Sequence, residues 1–164
     1  MHFQFSSKFK FISDNNTLDA LQLEIENKGK FSFQIITDTK EALTTKIVGV
    51  SLSYTTNNGF YLPFNTESGK LIKSLLENKK ISKIGYDLKF AIKVLSRQGI
   101  KVLGALFDVQ IAHYLLHPDM RHTLDIISNN YLNKIMIDEQ SLIGKGKTKV
   151  ELSTLNPELI TDFS

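Results

Sequence analysis

The chain has 164 residues, 41% hydrophobic and 23% charged, which is enough for one domain with a core of its own. It has no cysteine, which excludes disulfides and thiolate metal sites and fits a reducing compartment such as the cytoplasm; no apolar run approaches the roughly 18–20 residues that span a bilayer, and Met1-His2-Phe3-Gln4-Phe5 does not read as a signal peptide. A net charge of +3, carried by 18 lysines and only two arginines, points weakly to nucleic acid, argues against base readout, and equally suits a simple codon bias.

Lys8-Phe9-Lys10-Phe11-Ile12 alternates apolar and polar and reads as a short strand. Asp14 or Asn16 then caps a helix through Leu18, Leu21, Leu23 and Ile25 that Asn27-Lys28-Gly29 ends. Residues 31–37 are β-branched and aromatic, the expected central strand, and 39–46 is a polar connection. Residues 47–54 read as a second strand, Asn57-Asn58-Gly59 as a hairpin turn, and 60–63 as a returning strand, which together predict an antiparallel meander.

The second half changes period. Helices are expected over 68–78, 88–97, from Asp108 to the stop at His117-Pro118, and over 123–131, with short strands at 81–85 and within 100–107. The only candidate flexible loop is 144–149, and a further helix begins near Ser153 or Thr154 and stops mid-pattern at Ser164. Strands first and alternating strand and helix later predict a mixed α/β sheet covered by helices.

Five blocks stand in order along the chain. They are residues 33–52, with Val48-Gly49-Val50-Ser51; Ile84-Gly85-Tyr86-Asp87-Leu88-Lys89-Phe90-Ala91; Phe107-Asp108 through Tyr114-Leu115-Leu116; His122-Thr123-Leu124-Asp125 through Tyr131-Leu132; and Gly144-Lys145-Gly146-Lys147. At this spacing the chain resembles, over nearly its whole length, the 3′→5′ proofreading exonuclease domain of family A DNA polymerases, the DNA polymerase I type. The resemblance implies a ribonuclease H-like α/β fold, a mixed five-stranded sheet flanked by helices, with residues 1–164 forming one such domain. It also implies that the chain is a piece of a longer polypeptide with a polymerase domain downstream, and that DNA is its partner, with no membrane association.

Active members hold two divalent metals about 3.5–4 Å apart with carboxylates. The family's first-strand Asp falls here on Gln34, its Glu on Ile36, the Asn of its second motif on Asp87, and the Asp four residues later on Ala91. The Tyr of its last motif falls on Phe163, and the final Asp would lie beyond Ser164. These are vestigial positions, so the resemblance implies no catalytic residue and no cofactor in this chain, Mg²⁺ being expected only in active relatives.

Other readings remain beside this one. Gln34 offers a carbonyl oxygen for weak metal contact, or simply bonds its neighbours. Asp38, Asp87 and Asp108 are relocated ligands of an active nuclease, or respectively a turn residue and two helix caps. His113 and His117 have an i, i+4 spacing that zinc sites use, without an HExxH pattern or a matching third ligand motif. The loop at 144–149 lacks phosphate-loop spacing; Lys145, Lys147 and Lys149, with Lys89, are candidate contacts to a DNA backbone, or solvated surface lysines. A stand-alone binding module for nucleic acid or protein is a further alternative.

Overall fold

The structure, a computed structural model, describes residues 8–56 and 58–136. In chain order they form β1 (Lys8–Phe11), α1 (Asn15–Lys28), β2 (Lys30–Thr37), β3 (Ile47–Thr55), β4 (Asn58–Pro63), α2 (Thr66–Glu77), β5 (Ser82–Gly85), α3 (Leu88–Arg97), β6 (Leu106–Asp108), α4 (Val109–Leu116) and α5 (Leu124–Leu132). All the strands enter one mixed sheet in the order β1-β4-β3-β2-β5-β6. The expected meander is β2-β3-β4, and β5 and β6 extend the sheet beyond β2 by parallel pairing. The sheet has six strands where five were expected, because β1 adds to the free edge of β4 in parallel, with Phe11 opposite Tyr61.

Three local boundaries differ from the sequence expectation. Asn58 and Gly59 do not form the hairpin turn. They belong to β4, where Asn58 pairs with Thr55 after a register shift and its Nδ2 donates to Thr55 Oγ1 at 3.1 Å. The last strand covers only Leu106–Asp108. Upstream of it, the Leu103 N–H is taken by Leu76 O, and Gly104 turns at φ +91°, where an added Cβ would lie 2.8 Å from Lys79 O. Helix α2 starts at Thr66 because Asn65 and Ser68 form a reciprocal cap, Asn65 Oδ1 accepting the Ser68 N–H and Ser68 Oγ accepting the Asn65 N–H.

The core follows from alternation on β2. Phe31, Phe33 and Ile35 are buried and join Leu18, Leu21 and Ile25 of α1, Leu71, Ile72, Leu75 and Leu76 of α2, and Leu88, Ala91, Val94 and Leu95 of α3. Each large side chain of this set contributes roughly 1.5–3 kcal/mol on burial. Asp14, rather than Asn16, starts α1 by accepting the Thr17 N–H at 2.8 Å, and Gly29 ends it at φ 66°. One core residue breaks the apolar pattern. Lys83 on β5 is fully buried, with Nζ donating to Asn78 O at 2.5 Å and Leu103 O at 2.6 Å, and burial pushes its pKa down.

Candidate functional site

Gln34 and Ile36 stand two apart on β2, and Asp87 and Ala91 stand one turn apart at the start of α3. The structure brings all four to one cavity of about 320 Å³, with Phe33, Ile35, Thr37, Thr39, Lys40, Tyr86 and Phe90 completing its wall. A glycine permits this approach. An added Cβ at Gly85 would lie 2.4 Å from Leu88 Cδ2 and 3.2 Å from Phe33 O, so the absent side chain lets α3 start against β2. Gly49, opposite Ile36 across the sheet, would drive a Cβ to 2.4 Å from the Tyr61 ring. Ile36 and Ala91 are buried, at 5% and 4% exposure, while Gln34 is exposed.

Of the three candidate aspartates only Asp87 lines this cavity, and all three hold backbone. Asp87 sits in the left-handed region at φ 49° and caps α3, its Oδ1 accepting the Phe90 N–H at 3.2 Å. Asp108 caps α4, accepting the Gln110 N–H at 2.9 Å and the Ile111 N–H at 3.3 Å on Oδ1, while Oδ2 accepts the Leu88 N–H at 2.8 Å. Asp38 lies outside the cavity wall. Its Oδ1 accepts the Lys46 N–H at 2.8 Å and the Thr45 hydroxyl at 2.7 Å, and these bonds hold its carboxyl below the usual carboxylate range. The turn and cap readings of the three aspartates are therefore the ones these contacts support.

A second cavity of about 400 Å³ shares Phe33, Gln34 and Tyr86 with the first and reaches Ser32, Ser51 and Ser53 on the sheet and Val109, Leu124 and Leu132 on α4 and α5. Ser51 Oγ is buried and has no hydrogen-bond partner among the described residues. Tyr86 thus stands between two hollows. Its hydroxyl donates to His122 O and accepts from Gln110 Nε2, both at 3.0 Å, and burial followed by the charges of Asp87, Asp125 and Asp108 raises its pKa.

Tyr86 and Lys40 are wall residues that sequence reasoning did not single out. Tyr86 was legible as the neighbour of Asp87 in the second block, whereas nothing in the polar stretch 39–46 marked Lys40. Lys89 is exposed in the first turn of α3 and is not part of the cavity wall. Phe163, Lys145, Lys147 and Lys149 lie outside the described residues, with the expected loop at 144–149 and the expected last helix.

The histidines do come together. His113 Nδ1 lies 2.7 Å from His122 Nδ1, the His113 and His117 rings are 5.2 Å apart, and His117 Nε2 lies 2.9 Å from the Tyr131 hydroxyl. Among the described residues, no group of three or more histidine, aspartate or glutamate side chains is arranged to hold a metal ion.

The model of the 3′-5′ exonuclease family matches residues 9–155. The chain belongs to this family. DNA polymerase I of Borreliella burgdorferi is 27% identical over 168 residues, covering 96% of this chain but 18% of its own length, so the chain spans less than a fifth of that relative. Many solved structures share the fold. The POL domain of Pol1 from M. smegmatis, in complex with DNA primer-template and dNTP, has a TM-score of 0.67 at 21% identity and covers 77% of this chain and 23% of that one. Brucella melitensis NrnC has a TM-score of 0.66 at 17% identity and covers 86% of this chain and 68% of that one. The mixed sheet flanked by helices is the ribonuclease H-like fold. Among the described residues, no helix is long and apolar enough to cross a membrane.

Proposed function

We propose that this chain is a non-cleaving 3′→5′ exonuclease-like domain of a DNA polymerase I-type enzyme, which supports the polymerase module during replication and repair and touches DNA weakly. The observation that carries this reading is the chemistry of the four side chains gathered at the cavity between β2 and α3. They are an amide, a branched alkyl group, a methyl and one carboxylate already capping a helix. Paired Mg²⁺ ions need several hard oxygen ligands, usually carboxylates and water. An alkyl side chain supplies none, and a neutral amide is a poor substitute. The donor set does not fit a pair of divalent ions, and no cleavage step is assigned to one.

The replacements also make structural sense. Carboxylates clustered without metal repel one another. Ile36 and Ala91 instead pack as apolar groups, and the gain is about 1 kcal/mol or more for well-packed surface of this size. The alternative of an active nuclease built from Asp38, Asp87 and Asp108 finds little support, since each carboxylate is committed to backbone or hydroxyl donors and Asp38 lies outside the cavity wall.

Lys89 on the exposed first turn of α3 is the proposed DNA contact within the described residues, with Lys145, Lys147 and Lys149 as the proposed contacts beyond them. The test is incubation of the chain with end-labelled single-stranded DNA in Mg²⁺ and in Mn²⁺. The DNA is expected to stay at full length. Shortening that disappears with Asp87→Ala would overturn the proposal.

A further inference from the structure

His113 and His122 meet Nδ1 to Nδ1 at 2.7 Å, joining α4 to the segment that leads into α5. His113 is 3% exposed, and its Nε2 has no hydrogen-bond partner among the described residues. The main-chain carbonyl of the same His122 accepts the Tyr86 hydroxyl. Tyr86 in turn lines both hollows beside β2. We infer that the His113–His122 pair is an acid-released latch that holds Tyr86 in the wall of the cleft. This goes beyond the proposed function, because it holds whether or not the cleft cleaves DNA.

The logic is one of proton positions. A hydrogen bond between two Nδ1 atoms needs one N–H and one bare nitrogen. If His113 donates, His122 already carries its own hydrogen on Nε2, so its next proton can go only to the accepting Nδ1. Two N–H groups would then face each other across 2.7 Å. If His122 donates, it can take a second proton on Nε2, but His113 must then keep its hydrogen on the buried Nε2, which has no acceptor. Every protonated form of the pair either opposes two donors or buries an unpaired one. The neutral pair in which His113 donates has neither fault, since its buried Nε2 then carries no hydrogen.

The surroundings do not compensate. The ionisable rings facing His113 are His117 at the C-cap of its own helix, His122, and Tyr131 on α5, while Tyr114 and His122 meet edge to face. Around Tyr86 the charges are those of Asp87, Asp108 and Asp125. Burial first, and then the like charges of His122 and His117, lower the His113 pKa. Acid therefore parts the pair, His122 moves with its carbonyl, and the Tyr86 hydroxyl keeps only the Gln110 amide. The wall shared by the two hollows loosens.

The test is NMR of the full chain with labelled histidine and tyrosine rings, titrated from about pH 7.5 to about pH 5, the range in which histidine changes charge. Tyr86 is assigned from Tyr86→Phe. The His113 signal is expected to move below the ordinary histidine midpoint, with the Tyr86 ring shifting in step. In His113→Phe the Tyr86 shift is lost. Where that variant does not fold, His122→Gln keeps the main-chain carbonyl, lets a protonated His113 donate to an amide oxygen, and is expected to lose the shift too. A Tyr86 shift with an unchanged midpoint in either variant would overturn the latch. So would a His113 that titrates at the ordinary value while Tyr86 stays still.

Discussion

The Asp108 carboxylate, which caps α4, also accepts the backbone N–H of Leu88 at 2.8 Å. One side chain therefore fixes the first turns of two helices, and the second of these presents Asp87 and Ala91 to the cleft. Asp108→Ala is expected to lower stability by about 2–3 kcal/mol, a lost cap plus an unpaired N–H. Asp108→Asn is expected to lose less, since an amide oxygen keeps one acceptor. Urea unfolding of both variants, with and without Mn²⁺, checks this. Losses independent of the ion match a structural role, whereas a Mn²⁺-dependent gain confined to the parent chain would point to a ligand.

Ile36 is 5% exposed at the floor of the cleft, so an acid there would be desolvated. Ile36→Glu is expected to cost about 2–3 kcal/mol at neutral pH. Burial raises the folded-state pKa of the new carboxyl above its unfolded value, so the unfolded chain is the more readily ionised form. The penalty then shrinks as pH falls through the raised value. Denaturant midpoints at neutral and mildly acidic pH measure the difference. An equal loss at both would mean that the new carboxylate is solvated or paired.

Acid should destabilise the chain through His113. Its folded pKa is lowered, so just below the ordinary histidine value near 6.5 the unfolded chain binds the proton and the folded one does not. This contribution is complete above about 6.5 and declines as pH falls towards the lowered folded value. His113→Phe is expected to flatten that part of the stability–pH curve, which thermal melts in a buffer series will read.

Lys83 offers a further check on the core. Lys83→Met keeps length and removes the charge, but leaves the carbonyls of Asn78 and Leu103 without their donor. We expect a loss of about 1–3 kcal/mol at neutral pH, measured by urea unfolding. The loss should grow at high pH, because burial lowers the folded Lys83 pKa and the parent chain sheds its desolvation cost as the amine neutralises.

The sheet and helices were largely legible because alternation on 31–37 and helical spacing on 68–78 and 88–97 are local signals. What was not legible depended on neighbours. The segment 8–12 reads as a strand, but its parallel pairing with β4 is a long-range fact. Asn58-Gly59 looked like a turn, and the shifted Thr55–Asn58 pairing drew both residues into β4. Lys83 is unremarkable as a letter, and its burial rests on the carbonyls of Asn78, five residues before it, and Leu103, twenty after it. The four cleft positions were named from the resemblance, and the structure supplies the cavity they share. The histidine contact at 2.7 Å is not a local signal, since only the return of the chain at residue 122 brings the second ring to the first.

The most direct test of the central claim is titration of Mn²⁺ into the chain, followed by the electron paramagnetic resonance signal of the free ion. The signal is expected to rise in proportion to added Mn²⁺, because Gln34, Ile36 and Ala91 give the ion no carboxylate to displace its water. Stoichiometric uptake of one or two ions, abolished by Gln34→Leu or Asp87→Ala, would contradict the account.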